Sequence, residues 1–253
     1  MSKKGLILGA GGARGFAHLG FLQVLEKEGL EMDLIVGCSI GAIFGALYAA
    51  GIDLYRLEKL LTYPGFSRRL FDISVARGGF IKGDKLLEAM RLLTKDLQFE
   101  DLKIPLAIVA TDIETGEAVV FREGNVAQAV RASISIPGVF QPFRYQGRLL
   151  VDGAVKNRLP IHVAQKMGAD KILAVDVKKA LSTKLNTAVD VLFQSMEILE
   201  EEVFRSVCTG ADLLIQPEVG HIGSLQFDAA AEAIDLGRQS AVAKTAEIRR
   251  LFA

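Results

Sequence analysis

Several things this chain has little of narrow what it can be. Its 253 residues include two cysteines, Cys38 and Cys208, and three scattered histidines. Two distant cysteines make no disulfide framework, so a reducing, cytoplasmic setting fits the composition. Histidines and thiols at no ligand spacing give no reason to expect a metal centre. Charge of one sign is lacking too, since 30 lysines and arginines balance 30 aspartates and glutamates. No global field recruits nucleic acid or an anionic membrane, so no nucleic-acid partner is expected, and at most peripheral, transient contact with membranes. Repeats, low-complexity tracts and linkers are missing, and the length suits one domain over residues 1–253. The basic start Met1-Ser2-Lys3-Lys4 leads into an apolar run that stops at Arg14, short for a secretory leader and without a clear cleavage site.

What is abundant is apolar residue, 50% of the chain, enough for a large core. The longest uncharged stretch, Leu34 to Ile52, is nearly long enough to span a bilayer. Glycines at 37, 41, 45 and 51 interrupt it, and a turn in its middle would expose polar backbone to lipid. A folded interpretation suits it better. Asp33-Leu34-Ile35-Val36 is a buried strand, and Ala42 to Gly51 is a helix closed by a C-terminal glycine. Between them stands Gly37-Cys38-Ser39-Ile40-Gly41, which fits G-x-S-x-G. A serine on such a strand-to-helix turn has its hydroxyl pushed out of the sheet, and the crowded backbone wants glycine at Gly37 and Gly41. Ser39 is the candidate nucleophile.

A second glycine-rich turn lies at the start. Gly5 to Leu8 is a strand, and a helix runs from about Phe16 to Glu28. The linking Gly9-Ala10-Gly11-Gly12-Ala13-Arg14-Gly15 invites a dinucleotide-binding interpretation, but G-x-G-x-x-G fails at Arg14, and the next strand lacks a terminal acid. What remains is a row of backbone N–H groups at a helix N-terminus, at Gly11, Gly12, Ala13 and Arg14, in the form of an oxyanion hole. His18, one turn into that helix, suits packing or a supporting role better than general-base work.

Farther on, Leu54–Leu61 and Asp84–Lys95 are helices, and the irregular segment between them holds Phe66, Phe71 and Phe80 among Arg68, Arg69 and Arg77. It serves either as a plain connection or as a flap lining an apolar channel. Ile104–Thr111 is a strand with Ala118–Phe121 as hairpin partner, and a helix from Asn125 to about Ala132 leads to Ser133-Ile134-Ser135-Ile136-Pro137. A second hairpin turns at Gln146-Gly147 and delivers Val151-Asp152-Gly153-Ala154. Asp-Gly at a strand end is usually a turn former. Placed beside a serine, Asp152 can instead take its proton, if desolvation raises its pKa from the usual value of about 3.9. Lys171–Val177 and Leu213–Gln216 are further strands. Leu185, Val189, Leu192, Met196, Leu199 and Val203 form one apolar seam on a long helix, for docking on its own domain or for dimerisation. Helices from Ala229 and from Arg238 close the chain.

Together these blocks resemble the patatin-like phospholipase family in its compact bacterial form. The resemblance rests on Gly11-Gly12-Ala13-Arg14-Gly15, Gly37-Cys38-Ser39-Ile40-Gly41, Ala132 to Pro137, and Asp152-Gly153-Ala154. It covers most of the first 154 residues in the family's order. It implies a three-layer α/β/α sandwich with a largely parallel central sheet, and ester hydrolysis on lipid-like acyl substrates. Ser39 would be nucleophile, Asp152 its sole base, the amides around Gly11 to Arg14 the oxyanion hole, with no cofactor. Asp-Gly-Ala stands where many members have Asp-Gly-Gly, a small-for-small change. Two alternatives stay open: a Ser39–Asp152–His221 triad, whose residue order is right, and a non-catalytic acyl-binding regulatory protein. Phospholipid, lysophospholipid, acyl-CoA and simple esters all suit the site.

Overall fold

The computed structural model describes residues 2–66, 81–177 and 188–253. Among them the strands are β1 (Lys4–Leu8), β2 (Leu34–Cys38), β3 (Leu106–Asp112), β4 (Ala118–Phe121), β5 (Phe143–Tyr145), β6 (Arg148–Asp152), β7 (Lys171–Val175) and β8 (Leu213–Ile215). The helices are α1 (Ala17–Lys27), α2 (Ile40–Ala49), α3 (Leu54–Leu61), α4 (Asp84–Leu93), α5 (Val126–Ser133), α6 (Ala154–Asn157), α7 (Ile161–Lys166), α8 (Ala188–Val207) and α9 (Ala230–Phe252).

One sheet runs β5-β6-β3-β2-β1-β7-β8, with β4 also on β3. The pairs β3–β2, β2–β1, β1–β7 and β7–β8 are parallel, while β4, β5 and β6 join antiparallel. The sheet is mixed and mostly parallel, as expected. Its central strands are apolar on both faces because helices cover both. Leu6, Leu8, Ile35, Ile108 and Leu173 face a layer containing α1, α2, α5 and α9. Ile7, Leu34, Val36, Val109 and Ala174 face α7 and Phe204 of α8. The uncharged stretch from Leu34 to Ile52 is thus folded as β2, a turn and α2. Among the described residues no helix is long and apolar enough to cross a membrane.

Two expectations need correction. The chain closes with one helix, α9, and not with two starting at Ala229 and Arg238. Gly237 does not break it. A Cβ there would collide with the Ala17 carbonyl, and one on Gly20 with the Ile234 carbonyl, so each glycine lets α1 and α9 touch backbone to backbone. Of the two uses expected for the seam on α8, docking on its own domain fails at Leu199 and Val203, which are 69% and 39% exposed. Leu185 lies outside the described residues, as do Arg68, Arg69, Phe71, Arg77 and Phe80 of the aromatic segment.

The inward side of α8 carries Glu197, Glu201 and Phe204. Arg14 reaches Glu197 at 3.4 Å, Arg158 reaches Glu201 at 2.9 Å, and the Arg158 guanidinium lies 3.9 Å over the Phe204 ring. Two buried arginines demand anionic partners. Arg158 also pairs with the fully buried Asp176 at 3.1 Å, so Glu201 is its second anion, while Glu197 is the carboxylate that Arg14 reaches.

Candidate active site

Register brings the two halves of the site together. Along β3, Val109 pairs with Cys38 of β2, and the next residue, Ala110, pairs with Asp152 of β6. β4 pairs with both Val109 and Ala110, so β2 and β6 follow one another along the opposite edge of β3. The last residues of two strands distant in sequence therefore abut. Ser39 follows the first and Asp152 ends the second.

Ser39 has φ 54 and ψ −125, the strained turn expected of a nucleophile elbow. A Cβ at Gly41 would collide with the Leu8 carbonyl, and one at Gly37 would press on Ala42, so both motif glycines are there for close backbone approach. Ser39 occupies the N-cap position of α2, where a serine oxygen ordinarily accepts from the helix, yet its side chain caps nothing. Its hydroxyl instead donates to Asp152 Oδ2 at 2.5 Å. Both side chains are 3% exposed. The other carboxylate oxygen accepts from Ala154 N–H at 2.8 Å, which fixes the plane of the carboxylate. Gly153 leaves room for this turn, since a Cβ there would strike the Val109 carbonyl.

The glycine-rich turn lies across β1, opening a short 3₁₀ turn over Gly12–Phe16. Gly9 and Ala10 spend their N–H groups on the Val175 and Arg158 carbonyls, both at 3.0 Å. Ala13 N–H donates to the Ser224 carbonyl at 2.8 Å, so the expected set of donor amides narrows. Gly11 and Gly12, at the head of the turn, hold N–H groups that precede any intrahelical acceptor. The Arg14 side chain turns away, donating Nε–H to the Ile222 carbonyl at 2.7 Å.

His18 is fully buried, and its Nε2 bonds the Gly9 carbonyl at 2.8 Å, securing the base of the loop. Among the described residues its Nδ1 finds no partner. Burial pushes its pKa down from 6.5 to about 4, against the opposing pull of the Gly9 carbonyl. The folded protein therefore refuses a proton that the unfolded chain accepts below pH 6.5. The stability from this neutral burial is full above pH 6.5 and is lost as pH falls through 4, by about 3 kcal/mol. Urea midpoints from pH 7 to pH 4 should fall more steeply for the native protein than for His18→Gln, whose amide can still donate to Gly9. Equal slopes would contradict this account.

The other histidines are elsewhere. His221 is 58% exposed and bonds Glu232 at 2.7 Å. His162 is on the surface of α7, its pKa lowered by partial burial and by Lys166. Neither is bonded to Ser39 or Asp152. The sequence marked Ser133 and Ser135 within the block Ala132 to Pro137 but not their role, which is to bond the backbone of Ser39 and of Asp152, and it missed Ser224, which lies over the glycine-rich turn. An apolar pocket between α2, α3 and α4 is lined by Phe16, Ile43, Phe44, Leu57, Leu86 and Met90, and neither Ser39 nor Asp152 lines it.

The family model for patatin-like phospholipase matches residues 6–164. A Mycobacterium tuberculosis protein described as an uncharacterized NTE family protein is 40% identical over 174 residues, 68% of this chain and 48% of its own length. Human patatin-like phospholipase domain-containing protein 6 is 34% identical over 194 residues, 74% of this chain and 14% of that protein. The chain thus spans about half of the first relative and a small part of the second. Among solved structures, VipD from Legionella pneumophila superposes with a TM-score of 0.57 at 17% identity, over 96% of this chain and 67% of that one. ExoU of Pseudomonas aeruginosa, solved as a heterodimer with SpcU, gives 0.52 at 17% identity, over 100% and 52%. At such identities these two testify to the fold alone.

Proposed function

The chain belongs to the patatin-like phospholipase family, and from that premise we propose that it is a serine hydrolase of lipid acyl esters, of phospholipase A or lysophospholipase type, working with a Ser39–Asp152 dyad. The observation that carries this reading is the direct hydrogen bond from Ser39 Oγ–H to Asp152 Oδ2 at 2.5 Å, with no histidine between them. Asp152 takes the hydroxyl proton as Ser39 Oγ adds to the ester carbonyl. The tetrahedral oxyanion lies toward the N–H groups of Gly11 and Gly12 and the N-terminus of α2, whose dipole favours negative charge. Collapse expels the alcohol, which leaves with the proton from Asp152. Water then adds to the acyl-enzyme, giving up a proton to Asp152, and the carboxylic acid departs as Ser39 regains its hydrogen. The reading takes residues 1–253 as one domain meeting lipid peripherally.

The test is release of fatty acid from dispersed phospholipid and lysophospholipid, with a short p-nitrophenyl ester alongside. Gly12→Val probes the oxyanion loop in the same assay. Gly12 has φ 59, hostile to a β-branched residue, and a Cβ there would collide with the Ser224 carbonyl. Displaced amides should lower kcat by about 10²-fold or more, the scale of one lost oxyanion donor. Wild-type kcat in a folded Gly12→Val would remove this loop from the site.

A further inference from the structure

The short segment Ser133-Ile134-Ser135, at the end of α5, holds the backbone of both dyad members. Ser133 is completely buried. Its Oγ accepts from Ser39 N–H at 2.8 Å and donates to the Val109 carbonyl at 2.7 Å. Two residues on, the Ser135 carbonyl accepts from Asp152 N–H at 3.0 Å. The segment is itself pinned: Arg131 Nη1 donates to Ser135 Oγ at 2.7 Å, and Nη2 donates to the Gln141 carbonyl at 2.9 Å.

The Ser133 bond falls where the chain most needs it. Ser39 is the first residue past the last β2–β3 pair, so its N–H has left the ladder. With φ 54, the residue is held in a strained conformation only as long as its surroundings require it. A hydroxyl suits this position because it accepts and donates at once. Val109, the acceptor, is the residue that pairs with Cys38, so Ser133 ties the elbow to the strand that also carries Asp152 at Ala110.

We propose that Ser133 is a positioning residue for acylation: by gripping the Ser39 amide it keeps the Ser39 hydroxyl aimed at Asp152 and the substrate carbonyl. The proposal rests on the dyad reading. Misplacement of a nucleophile by about 1 Å costs on the order of 10²-fold. Ser133→Ala leaves the Ser39 amide without its acceptor, and kcat should fall by roughly tenfold to a hundredfold with KM within twofold, a loss confined to the chemical step.

The experiment compares kcat, KM, melting temperature and the rate of fluorophosphonate labelling at Ser39. The variants are Ser133→Ala, Ser133→Cys and Thr94→Val. Thr94 is a buried hydroxyl bonding the Met90 carbonyl at 2.6 Å, so Thr94→Val controls for stability lost without loss of aim. Ser133→Ala and Ser133→Cys should both lose kcat and labelling rate in parallel, while Thr94→Val loses melting temperature alone. Ser133→Cys is nearly isosteric but a weak acceptor, and carries the test if the alanine variant does not fold. Wild-type kcat in either folded Ser133 variant, or an equal kcat loss in Thr94→Val, overturns the proposal. Ser39→Ala separates the two claims: if it stays active, the dyad reading falls; if it is dead while Ser133 variants are wild type, only the positioning role falls.

Discussion

Ser39→Ala is expected to abolish ester hydrolysis while leaving the fold in place. The alanine keeps the backbone of the elbow, the Ser133 contact to its N–H and the packing of α2, and it loses only the hydroxyl that donates to Asp152 at 2.5 Å. Without a nucleophile no acyl-enzyme forms, and kcat should drop by about 10³- to 10⁶-fold, the range left when binding and oxyanion donors act alone. The stability change is expected to be small by comparison. The strain at φ 54 is the same for alanine, and one buried hydrogen bond is worth about 1 kcal/mol. Rates on a p-nitrophenyl ester, with circular dichroism, check this. A folded variant that keeps more than about one part in a hundred of the rate would remove Ser39 from the chemistry.

Asp152→Asn is expected to be as damaging, and His221→Ala nearly silent. An amide cannot take a proton, so the asparagine variant keeps the shape of the Asp152–Ala154 turn but lacks the base. Its kcat should fall by about 10³-fold or more, whereas His221→Ala should stay within about threefold. His221 is largely exposed, and its ring bonds Glu232, so its loss touches the surface only. A triad orders the effects differently, because there histidine moves the proton and the carboxylate orients it. Assaying the variants side by side under one set of conditions decides between them. A folded His221→Ala as inactive as Ser39→Ala would overturn the dyad.

The legible parts of this site were the local ones. Ser39 stands where an apolar strand, two glycines and a helix follow one another within a few residues, and each signal is local. Asp152 could be singled out because a strand led into it. That the two touch is a matter of register along β3, Val109 with Cys38 and Ala110 with Asp152, which no window of sequence contains. Ser133 stood in one of the blocks that carry the resemblance, but its bond to Ser39 was illegible for the same reason. It is 94 residues from Ser39, and a serine at a helix end has many uses.

The misread helices teach a related lesson about packing. Gly237 resembles a helix stop, yet α9 passes through it because α1 lies against its backbone. Along α8 the apolar period was real, but it did not name the docking side. The side turned inward is the one that sets Glu197 and Glu201 against the buried guanidinium groups of Arg14 and Arg158, and arginine burial cannot be read from the helix's own residues. Patterns of polarity report which elements form; which face an element turns inward depends on what waits for it there.

The central claim, a serine nucleophile at the elbow with an aspartate as its base, is tested most directly by covalent trapping. The protein is treated with a fluorophosphonate and its intact mass is measured, followed by peptide mapping. The account predicts one adduct per chain, located on Ser39, absent from Ser39→Ala, formed far more slowly in Asp152→Asn and at the normal rate in His221→Ala. An adduct on another residue, or an active protein that stays unlabelled, would contradict it.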